Sequence, residues 1–135
     1  MPAGTSIFAK PGAALIGTVC LIAPLLLGTS ATHAAGDPAA GQKVFVRCAG
    51  CQSPAPGTNK VGPSLAGVVG RKSGTEPGFN YSPALKSANV TWSAGTLDKF
   101  LQGPGNFIHG TRMFLNVPSA SDRQNVIAYL GTLKP

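Results

Sequence analysis

Hydrophobic and polar positions divide the chain into two unlike parts. From Ala13 to Gly28 it reads AALIGTVCLIAPLLLG, sixteen residues without a charge. Lys10 is the only charged residue before Asp37, and small residues follow the apolar run in Ser30-Ala31-Thr32-His33-Ala34-Ala35. A basic start, a short apolar core and a small-residue exit describe a secretory signal peptide, here residues 1–34, with cleavage after Ala34 or Ala35. A membrane anchor needs about 20 apolar residues; this run is shorter and Pro24 interrupts it. Cys20 lies within the run and leaves with it.

From residue 35 onwards the pattern is helical wherever it is periodic. Asp37-Pro38 suits a helix start, and Gly41, Val44, Phe45 and Cys48 form one stripe, which predicts a helix over 38–48. Residues 50–80 are rich in Gly, Pro, Ser and Thr and read as ordered loop. Ser82-Pro83 opens a short helix that fades near Ala88. Ser93 caps another, with Leu97, Phe100 and Leu101 on one face, and Gly103-Pro104 ends it. The last helix spans about 121–133, with Val126, Ile127, Tyr129 and Leu130 as its apolar face. No segment alternates as a strand does. The expectation is an all-α chain of about four short helices joined by long loops.

Helices this short are marginal alone. Loops this long need something to organise them. The whole chain holds only nine aromatic residues, so the core is thin and asks for a large apolar filler. Charge adds a second constraint. Residues 35–135 carry 10 basic and 4 acidic side chains, a net +6, which draws the protein to acidic partners or anionic surfaces. The basic residues are scattered rather than run together, which argues against nucleic acid.

Two cysteines remain, in Cys48-Ala49-Gly50-Cys51-Gln52. A C-x-x-C pair reads as a redox dithiol, half a zinc site or a haem attachment site. Zinc would need more ligands than His109 can supply, and a thioredoxin-like pair needs a βαβ setting. Haem attachment calls for C-x-x-C-H, in which the His ligates iron. The fifth position here is Gln52.

Other stretches bear on the choice. They are Gly41-Gln42-Lys43-Val44-Phe45; Val61-Gly62-Pro63-Ser64-Leu65 with Gly67, Gly70, Arg71, Lys72 and Gly74; Pro77 to Ser82 with Thr91-Trp92; Gly110-Thr111-Arg112-Met113; and Ile127-Ala128-Tyr129-Leu130. In this order and spacing, residues 35–135 resemble a class I cytochrome c domain, of the mitochondrial and bacterial cytochrome c2-like type. The resemblance implies an all-α cytochrome c fold around one covalently attached haem, and an electron carrier rather than an enzyme. It implies haem c bound through Cys48 and Cys51, with Met113 as a metal ligand. Gln52, Pro63, Arg71, Tyr81, Trp92 and Thr111 fall at positions that contact the cofactor. It also implies a periplasmic monomer that meets the membrane peripherally at most. Its partners would be acidic redox proteins such as membrane oxidoreductase complexes, met through Arg47, Lys60 and Arg112. Gln52 departs from the pattern, and the attachment machinery of the family reads the His. That departure leaves two alternatives: a haem domain with open iron coordination, or a haem-free degenerate domain. His109, Leu85, Gly105 and Asn106 depart as well.

Overall fold

The computed structural model describes residues 35–135, with Ala9 and Gly12 besides. The expected signal peptide thus lies outside the described residues, apart from those two. Five helices are present among the described residues: α1 Pro38–Phe45, α2 Pro83–Ser87, α3 Ala94–Gln102, α4 Pro104–Phe107 and α5 Ala120–Thr132. The only ladder pairing among them is an isolated antiparallel bridge between Lys72 and Thr91.

Four of the five helices start where a side chain supplies a cap, and α4 starts without one. The Asp37 carboxylate accepts from the Ala39 N–H at 2.8 Å, and Pro38 stands in the first turn. Ser82 accepts from Leu85 N in α2. Ser93 and Thr96 form a reciprocal capping box on α3. Ser119 accepts from Asp122 N in α5.

Two expectations need correction. α1 stops at Phe45 rather than Cys48. The chain tightens into a turn there, with the Cys48 N–H bonded to Phe45 O at 2.8 Å and Gln52 N to Cys48 O at 2.9 Å. The second correction is α4, a fifth helix of four residues. Gly103-Pro104 does end α3, but Pro104 at once opens this further turn, since proline suits a first helical position.

α1 packs across α5 at close range. A Cβ on Gly41 would lie 1.9 Å from Asn125 O, so only glycine lets the two backbones meet there. The Phe45 and Tyr129 rings flank this contact, with centroids 5.2 Å apart. α3 lies against α5 and brings Phe100 to Trp92 at 5.0 Å. The long loop 46–82 is held by polar side chains. Asn59 accepts from Ser64 N and donates to Pro77 O, and the fully buried Ser64 hydroxyl donates to Ala55 O at 2.7 Å. Trp92 N donates to Arg71 O, which pins the loop to the start of α3.

Candidate haem site

The core is hollow. Phe45, Val68, Trp92, Leu97, Phe100, Leu101, Val126 and Leu130 are all buried, and all face a cavity of about 720 Å³. This volume falls within the roughly 300–1,000 Å³ of cofactor and ligand pockets.

The turn after α1 places Cys48 and Cys51 on the cavity wall, Cys48 buried and Cys51 exposed. Both are free thiols. Burial pushes the Cys48 thiol up from its ordinary value, against the pull of Arg47, so it stays protonated at neutral pH. Gln52 also lines the cavity. Its Cγ would come within 2.7 Å of a Cβ on Gly62, so the glycine admits this side chain between the two chain segments. Pro63 lines the same wall. Among the described residues no three His, Cys, Asp or Glu gather as a metal cluster, so the cysteines have no partners for a zinc site.

Met113 reaches the cavity from the segment after α4. Its N–H is bonded to the Thr111 hydroxyl at 3.4 Å. Thr111 itself is buried and lines a smaller cavity of about 270 Å³, not the large one. The hydroxyl is turned to the backbone of its own turn, two residues on, and there it supports Met113.

Arg71, Tyr81 and Trp92 line the large cavity together. The Arg71 guanidinium is spent on three acceptors: Ala66 O, Ser64 O and the Glu76 carboxylate. Its Nε is buried without a partner. A buried, unsatisfied cationic donor costs free energy unless an acceptor meets it. Tyr81 OH accepts from Glu76 N, and burial raises its pKa although Arg71 pulls it down. Sequence reasoning passed over Glu76. The one signal was its standing as the sole acidic residue between Asp37 and Asp98, five positions after Arg71.

These residues fit haem c in all but one respect. The apolar walls suit the macrocycle, the paired thiols suit its two vinyl groups, the Met113 thioether suits iron, and Arg71 Nε suits an anionic side arm. Gln52 alone does not fit, since an amide oxygen is a weak iron ligand and its nitrogen lone pair is delocalised. His109 does not fill that role, being exposed and lining neither cavity. Of the other departures, Leu85 lines the large cavity, and Gly105 and Asn106 line the smaller one.

No family model matches the chain. It is 40% identical over 116 residues to cytochrome c2 of Rhodomicrobium vannielii, covering 84% of this chain and 93% of that one. It is 47% identical over 102 residues to cytochrome c2 of Rhodoblastus acidophilus, covering 74% and 95%. Among solved structures, cytochrome c2 from Rhodospirillum centenum superposes with a TM-score of 0.71 at 34% identity, covering 74% of this chain and all of that one. Likeness in sequence and in fold extends over nearly the full length of these relatives, and the chain belongs to the class I cytochromes c.

Proposed function

We propose that this protein is an exported, monomeric, monohaem electron carrier of the cytochrome c2 kind, not an enzyme. The observation that carries the reading is one apolar cavity with Cys48 and Cys51 on its wall, Met113 reaching into it and an unpartnered Arg71 Nε beside it. When bound, haem c supplies a reversible one-electron change at its iron. The protein's residues do the rest. Cys48 and Cys51 hold the group covalently. Met113 offers a soft sulfur, which favours ferrous iron and raises the potential. Phe45, Val68, Leu97 and Leu101 exclude water from the pocket. Arg71 would meet an anionic arm of the group, and Tyr81 and Trp92 line the cavity with it.

The mouth of the cavity supports a docking role. Val61 and Phe114 line it and are 81% and 90% exposed. Arg47 and Arg112 line it too, and Lys60 is held beside the cysteine turn by donation to Ala49 O at 2.8 Å. An apolar patch with a basic rim suits brief contact with acidic redox proteins, such as membrane oxidoreductase complexes. The signal-like start of the sequence supports a periplasmic location. No helix among the described residues is long and apolar enough to cross a membrane.

The test is the denatured mass of the protein secreted by a host that matures c-type cytochromes. The expected mass is the chain from residue 35 plus one haem. The mass of the bare chain would overturn the carrier role.

A further inference from the structure

Arg123 is buried in α5, only 7% exposed, and sequence reasoning had placed no function on it. Its Nε donates to the Asp98 carboxylate of α3 at 2.8 Å. Its Nη1 donates to Val117 O at 3.0 Å and to Pro118 O at 2.7 Å. Val117 is 1% exposed, and its own N–H donates to Leu101 O at 2.7 Å near the end of α3. One guanidinium thus joins α3, α5 and the end of the segment that carries Met113.

That segment has few other hydrogen bonds. At its near end Met113 N is bonded to Thr111, and Arg112 donates to Asn80 O at 3.2 Å. Phe114, Leu115 and Asn116 make no hydrogen bond among the described residues. Phe114 is almost wholly exposed. Hydrogen bonds thus hold the path from Met113 to Val117 only at its two ends, the far one through Arg123 and Leu101 O, while Met113 and Leu115 pack against the core between them.

We propose that Arg123 is a positioning residue that holds the Met113 thioether on the cavity wall by clamping Val117 and Pro118. The role requires a planar fork of donors in a fixed geometry, which lysine lacks. It rests on the haem reading of the cavity only for its consequence at Met113; the clamp itself stands on the hydrogen bonds above.

The test compares Arg123→Gln, Arg123→Lys and Asp98→Asn with the parent, all secreted as full chains and matured with haem. Asp37→Ala, which removes the α1 cap and none of the Arg123 bonds, serves as the stability control. The first readout is amide hydrogen exchange across residues 113–118. Arg123→Gln is expected to speed it about tenfold or more, the loss of charge-assisted hydrogen bonds, and Asp37→Ala to leave it unchanged. The second readout is the near-infrared charge-transfer band of a thioether on ferric haem iron, followed as temperature is raised. The temperature at which the band is lost is expected to fall in Arg123→Gln. Arg123→Lys is expected to follow Arg123→Gln rather than the parent. Where Arg123→Gln does not fold, Asp98→Asn keeps the guanidinium, frees its orientation and is expected to move both readouts the same way. Unchanged exchange at 113–118 in the variants that fold would overturn the clamp, as would an equal change in Asp37→Ala. A haem-bearing parent with no thioether band would overturn the consequence at Met113 and leave the carrier reading standing. A bare-chain mass would overturn the carrier reading, while the exchange measurement would still decide the clamp.

Discussion

Gln52 occupies the position where a single atom type decides the chemistry. An imidazole nitrogen in its place supplies a strong iron ligand and completes the C-x-x-C-H pattern. Gln52→His is therefore expected to increase the fraction of secreted chains that carry covalent haem, read from the denatured mass. Equal fractions in the two proteins would remove Gln52 as the weak point. Tyr81 offers a pH test. Its folded pKa lies above the ordinary 10.0, chiefly through burial. The folded state therefore keeps the proton longer than the unfolded chain. Its contribution is fully present below pH 10 and is lost as pH rises through the folded pKa. Tyr81→Phe is expected to flatten the fall in stability above pH 10, measured by denaturant unfolding at a series of pH values. At this scale the cysteine pair, Gln52 and Met113 were legible as chemistry. The unpartnered Nε of Arg71 was not, because its other acceptors come from Ser64, Ala66 and Glu76, whose approach no spacing rule predicts.

At the scale of elements, caps and crossings carry the predictions. Ser93→Ala removes one half of the α3 capping box and is expected to cost about 1 kcal/mol in a urea titration. The close α1–α5 contact is less forgiving. Gly41→Ala drives a methyl group into the Asn125 carbonyl, which is backbone and cannot swing aside. A loss of about 3 kcal/mol or more is expected, the upper range for overpacking; a neutral outcome would show that the two helices part freely. Helix starts were readable because their caps are local, one to three residues apart. The end of α1 was not, because the apolar stripe continues to Cys48 after the helix has tightened into a turn. α4 was missed for a related reason, since the glycine and proline that stop one helix also start the next.

For the whole molecule, the cavity governs stability and the rim governs encounter. The apolar walls of a cavity of about 720 Å³ lack packing partners until it is filled, so the fold and its filler belong together. The charge of +6 over residues 35–135 predicts electron exchange with an acidic partner that slows as salt rises, measured as a second-order rate against ionic strength. A rate independent of salt would remove the basic rim from docking. The linear order of residues determined the all-α class, the helix starts, the cysteine pair and the family, because caps, periodicity and short motifs are local or nearly so. Tertiary structure alone decided that Glu76 holds Arg71 and that Arg123 joins α3, α5 and the Met113 segment. Each of those depends on groups that meet only when the chain closes around its hollow core, and burial then turns an ordinary surface residue type into a structural one.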